Sequence, residues 1–167
     1  MDGRPLVFDL KGSTITIPDI PGRPPSTRIL HIKRVWRDIF ERELGLIHVL
    51  CLVENILTRE RHIAKIRYEL NPKHFKFDNL HAQRDLAEYR FKCEVDAARL
   101  LGDNEYGPRY MTHWKQIQSI NMPFPGGLIY FLIMGTVPGD IIPENLHDKL
   151  TDAQRVDIRR QLTRMLE

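Results

Sequence analysis

His62-Ile-Ala-Lys-Ile-Arg-Tyr68 is the run on which the reading of the fold turns. Branched and aromatic side chains interleaved with charge favour an extended strand. From Phe77 to Leu101 the period changes. Leu86, Tyr89, Cys93, Ala97 and Leu100 recur at intervals of three and four, which predicts a helix with one buried stripe. Asp78 or Asn79 can accept its first free N–H groups, and Gly102 offers a stop after Leu101. Glu94 stands three residues after Phe91 and four before Ala98, close to the apolar side of that helix. A carboxylate there calls for a cation, because burying it unpaired is costly. Lys65, in the middle of the preceding strand, can supply one. The alternative is an outward-facing Lys65, with Glu94 bonded to Arg90 one helical turn back.

Upstream of this pair, Arg34 to Phe40 and Leu46 to Val53 read as two further strands, with turns at Arg42-Glu-Leu-Gly45 and Leu57-Thr-Arg-Glu-Arg61. Val35, Ile39 and Phe40 also lie near helical spacing, so a helix over 34–44 is the competing assignment. Leu6 to Leu10 and Thr14 to Ile17 flank Lys11-Gly-Ser13 as a hairpin would, since Gly12 tolerates a positive φ. Pro18 to Pro25 holds four prolines and reads as an arm. Downstream, Met111 to Ile120 is a strand, Pro123 to Gly127 a turn, and Leu128 to Met134 an unbroken apolar strand of the kind buried on both faces. Thr151-Asp-Ala-Gln154 is a capping box opening a last helix, whose Ile158, Leu162, Met165 and Leu166 share one face.

With 167 residues and 42% hydrophobic content, the chain has enough apolar side chains for one core. Its 25 Lys and Arg against 22 Asp and Glu leave a formal charge of +3 with no basic run, so no nucleic-acid partner is expected. Cys51 and Cys93 lack metal-ligand spacing and read as buried, reduced thiols, which favours a cytoplasmic location. The longest apolar run, Leu128 to Met134, is too short to span a bilayer, and no signal segment is visible, so a soluble protein without membrane attachment is expected. The seven histidines form no His-x-x-x-His pair, and no Gly-x-Ser-x-Gly elbow occurs, so zinc and hydrolase chemistry have no candidate.

Strand lysine, helix glutamate, and then Gly126 to Met134 followed by Val137-Pro-Gly139 occur in an order that resembles the small lobe and hinge of protein-kinase-like and aminoglycoside-phosphotransferase-like proteins, especially small kinase-like proteins of filamentous fungi. The resemblance covers residues 34 to 167 and rests on order and hydrophobic pattern more than on rigid motifs. It implies that Lys65 contacts nucleotide phosphate and that Glu94 orients Lys65. It also implies that Ile63 stands at the adenine roof and that Met134, Gly135, Thr136 and Val137 form the hinge, where backbone groups meet adenine. ATP, with magnesium, is the implied ligand. Two departures count against activity: the Gly-x-Gly-x-x-Gly cradle is replaced by Gly45 alone, and Ile63 is bulkier than the usual roofing residue. Gly139-Asp-Ile-Ile-Pro-Glu-Asn145 resembles a catalytic loop, with Asp140 and Asn145 as its functional pair. However, Pro138 replaces its histidine, and no metal-binding aspartate follows.

The resulting expectation is an α+β domain: an antiparallel sheet of about five strands with one long packed helix, plus a C-terminal helix. Residues 1–28 form a hairpin and proline-rich arm, 29–139 the kinase-like small lobe with hinge, and 140–167 a helical segment. The expected function is that of an incomplete or degenerate kinase-like domain, able to bind ATP but not catalytically competent alone. A missing C-terminal lobe, as in a truncated gene model, would complete it. The alternative is a noncatalytic interaction module that uses the C-terminal helix face or the N-terminal hairpin to hold a protein partner.

Overall fold

The computed structural model describes residues 10–18, 29–138 and 149–166. Leu6 to Asp9 of the strand expected over Leu6 to Leu10, most of the proline-rich arm and the Gly139 to Asn145 pattern lie outside them. The chain divides into two compact units, Met1–Thr136 and Val137–Glu167.

The first unit is α+β. Its strands are β1 (Thr14–Thr16), β2 (Ile29–Glu41), β3 (Leu46–Asn55), β4 (Arg61–Glu69), β5 (Tyr110–Ile117) and β6 (Leu128–Gly135), with α1 (Leu80–Asp103) between β4 and β5. They form one curled antiparallel sheet in the order β1-β2-β3-β4-β6-β5. The sheet has six strands instead of about five, because short β1 joins it by pairing with β2, Ile15 opposite Leu30. Residues 34–41 are strand, which decides against the helical assignment there. Two irregularities interrupt the β2 register, between Ile32 and Arg34 and between Val35 and Arg37. Such bulges bend a strand and increase its twist, which suits a curled sheet.

Alternation along β4 decides what each sheet face carries. Ala64, Ile66 and Tyr68 point to one face, where they join Ile15, Ile32, Val49, Cys51, Val53, Ile129, Phe131 and Ile133 in the main core. Cys51 is fully buried, with its Sγ directed at the Ala64 carbonyl, and burial pushes its thiol up to about 12. Ile63, Lys65 and Arg67 point to the other face, the one covered by α1. Phe91 and Val95 of α1 pack there on Tyr130, Leu132 and Met134. Burying Phe91 stabilises the domain by about 1.5–3 kcal/mol.

The buried stripe of α1 is therefore Ala87, Phe91 and Val95. The stripe expected from periodicity is not the buried one: Leu86, Tyr89 and Leu100 are exposed, and so is Cys93. The helix carries apolar residues on two sides, and Arg84 and Glu94, which pair with the sheet, obscure the true inward stripe. Asn79 caps the start as expected, its side chain accepting from the Ala82 N–H. Gly102 does not end the helix, which runs on to Asp103, and Glu105 takes the left-handed conformation with φ 61°. Gly102 serves close approach instead: a Cβ there would lie 2.9 Å from the Tyr110 nitrogen.

A polar node fixes the end of β4. Glu69, buried, accepts from the Leu128 N–H at 2.7 Å and from Arg84 Nε at 2.8 Å. Buried Gln118 donates to the Glu69 and Leu128 carbonyls and accepts from the Phe124 N–H. Every strong polar group of this node thus has a partner, as burial requires.

In the second unit the described helix is α2 (Asp152–Leu166). Its capping box forms as expected: Gln154 N–H donates to Thr151 Oγ1, and Thr151 N–H donates to Gln154 Oε1 at 2.9 Å. Val156, Ile158 and Leu162 are exposed, while the side chains of Met165 and Leu166 are outside the description. Among the described residues no helix is long and apolar enough to cross a membrane.

Candidate functional site

Two neighbouring cross-strand rows build the site. Arg37 of β2 stands opposite Leu50 of β3, and Leu50 opposite Lys65 of β4. In the next row on the same face, Ile39 stands opposite His48, and His48 opposite Arg67. The helix α1 lies over the β4, β6 and β5 side of this face, leaving the rows from β2 and β3 open beside it. The result is a cavity of about 300 Å3 lined by these six residues, by Glu94 and by Val49 and Ile66.

Glu94 holds both β4 cations. Lys65 Nζ donates to Glu94 Oε1 at 2.7 Å, and Arg67 Nη2 donates to Glu94 Oε2. Lys65 is 43% exposed and Arg67 only 10%, so the arginine is the structural partner and the lysine the accessible one. Phe91 supports the arginine, whose guanidinium carbon sits 5.6 Å from the ring centroid. Burial acts to raise the Glu94 pKa, but hydrogen bonds and charge from Lys65 and Arg67 outweigh it and hold the carboxyl below its usual range. Arg90, the alternative partner for Glu94, pairs with Glu41 instead.

Glu41 also meets His48, Nε2 to Oε2 at 2.7 Å. Burial and the neighbouring Arg67 lower the His48 pKa against the pull of Glu41. A carboxylate oxygen can only accept, so His48 Nε2 donates this hydrogen bond. Lys65 and Arg67 share one carboxylate at the cavity, and the Arg37 side chain lines it as well, so three cationic side chains border the opening. It can hold an anion with several oxygens.

The other residues singled out in the sequence are placed differently. Ile63 and Met134 are register partners packed beneath α1, Met134 buried and Ile63 partly so. They belong to the core between helix and sheet and do not line the cavity next to Lys65. The Gly135 N–H donates to the Arg109 carbonyl at 2.7 Å, extending the seam between β5 and β6. Thr136 and Val137 follow it, exposed, and Val137 begins the second unit. Gly45 turns between β2 and β3 with φ 61°, facing Phe75 and Phe77. Arg67, Arg37 and His48 were not singled out from the sequence. Arg67 was accessible to period-two reasoning, standing two residues after Lys65, whereas Arg37 and His48 required the strand register.

No protein-family model matches this chain, and no curated protein or solved structure is significantly similar to it.

Proposed function

We propose that this domain binds a phosphate-bearing ligand, with ATP as the leading candidate, in the cavity beside Lys65, and that alone it does not transfer phosphate. The observation that carries this reading is the Lys65–Glu94 pair at 2.7 Å on the edge of an open, cation-rich cavity. In kinase-like proteins a helix carboxylate holds a strand lysine ready for nucleotide phosphates in the same way. Lys65 would meet phosphate, Glu94 would orient Lys65, and Arg37 would close on the far side. Magnesium would enter with the nucleotide.

The adenine end fits the family pattern less well. Ile63 and Met134 are occupied with helix packing, so a base would rest on Leu50 and Ile39 at the cavity floor. Phosphoryl transfer also needs a metal-binding carboxylate and a residue positioning the acceptor. Among the described residues no cluster of three His, Cys, Asp or Glu side chains is placed for a metal.

Calorimetric titration with ATP, ADP and pyrophosphate, with and without magnesium, tests the reading. Saturable binding weakened at least tenfold in Lys65→Ala is expected. No binding of any of the three at millimolar concentration would refute it.

A second reading, a noncatalytic protein-interaction module, is favoured by the exposed Leu86, Tyr89 and Leu100 on α1 and by Val156, Ile158 and Leu162 on α2. Sedimentation over a hundredfold concentration range separates it from the first. A monomer at every concentration would weaken it.

A further inference from the structure

The face of the sheet opposite α1 holds a second cavity of different chemistry. It lies between the β1 turn and the β5–β6 connection and measures about 420 Å3. Ile32, Met122 and Phe131 contribute apolar walls, continuous with the main core, and Trp114 stacks on Phe131 with ring centroids 4.5 Å apart. Ser13, Thr14, Ser119 and Asn121 contribute hydroxyl and amide groups, and all four residues are exposed. Among the described residues no charged side chain lines it.

A space of this size at the mouth of a curled sheet falls within the range of small-molecule sites, about 300–1,000 Å3, which combine apolar walls with a few polar groups. The lining also selects the ligand class. Hydroxyls and amides can donate and accept, but a charged ligand would lose water here without gaining a countercharge.

We propose that this mouth binds an uncharged small molecule with an apolar body and at least one hydrogen-bonding group. The site is independent of the cation-rich cavity on the other face.

The test uses the full chain and a neutral fluorescent probe, N-phenyl-1-naphthylamine. Saturable one-to-one binding is expected, weakened at least tenfold in Ser13→Phe and in Ser119→Phe. Both substitutions sit at exposed positions and fill the mouth, and far-UV circular dichroism would verify folding. Leu100→Ser, which removes an exposed apolar group of α1, should leave probe binding unchanged. The anionic analogue 1-anilinonaphthalene-8-sulfonate should bind at least tenfold more weakly. Probe binding that survives both phenylalanines, falls in Leu100→Ser, fails to saturate or is matched by the anionic analogue would overturn the proposal.

Discussion

Replacing Glu94 with Gln keeps the side-chain shape and removes the charge that holds two cations. The cost divides unequally. Arg67 is 10% exposed, so its charge-assisted bond to Glu94 belongs in the range of about 1.5–3 kcal/mol. Lys65 is 43% exposed, and solvent screening limits its share to less than about 1 kcal/mol. Gln retains an acceptor oxygen, so the expected loss is about 2 kcal/mol, near the lower end of the sum. Urea unfolding at pH 7 should show it as a lower midpoint with unchanged slope. The pH dependence follows from the direction of the shift. Because the folded-state pKa of Glu94 lies below its unfolded value, the stabilisation is complete above the unfolded carboxyl range, about pH 4.3. It is lost as pH falls through the folded value. Wild type and Glu94→Gln should therefore differ at pH 7 and converge under strongly acid conditions. A loss under about 0.5 kcal/mol at pH 7, the level of an ordinary surface substitution, would refute this partition between Arg67 and Lys65. So would a difference that persists once the carboxyl is protonated.

Gly45→Ala should destabilise more than Gly12→Ala, as thermal unfolding would show. Both glycines have positive φ, worth about 1–2 kcal/mol against a residue with a Cβ, but only at Gly45 would that Cβ fall 2.9 Å from the Phe77 ring. Equal losses would mean the phenylalanine rings give way freely. In the native protein Ellman's reagent should titrate one thiol, exposed Cys93, and reach Cys51 only after denaturation. With its pKa near 12, Cys51 stays protonated at pH 8 as well as being buried. Two fast-reacting thiols would contradict the burial of β3.

The strands were legible because period-two alternation and turn residues agree along most of them. Leu128 to Met134, apolar throughout, is indeed covered on both faces. The helix boundaries were legible at Asn79, whose cap is local chemistry, and less so at Gly102, whose role depends on the approach of Tyr110. The inward stripe of α1 was not legible. Leu86, Tyr89 and Leu100 have a clean apolar period, whereas the buried stripe of Ala87, Phe91 and Val95 is interleaved with Arg84 and Glu94, whose charges find partners on the sheet. Pairing of Glu94 with a strand cation followed from its closeness to the apolar side. That Arg67 shares the carboxylate, and that Arg37 and His48 complete the cavity, depends on strand register set by turns and bulges.

The node at Glu69 has a consequence for how the chain folds. Pairings within β2 to β4 and between β5 and β6 join strands that are neighbours in sequence, whereas the β4–β6 ladder must close across the whole of α1. Glu69 and Leu128, 59 residues apart, lie at the end of that ladder. Closing so long a loop carries an entropy cost that must be met before the contacts reward it. The two hairpin sets can form early and separately, and their docking, with Glu69 capturing the Leu128 amide and Gln118 bridging both strands, becomes the slow event. Amide exchange at Leu128 would then report opening of the joint between the halves, while amides inside β3 would exchange only when the β2–β4 meander itself comes apart.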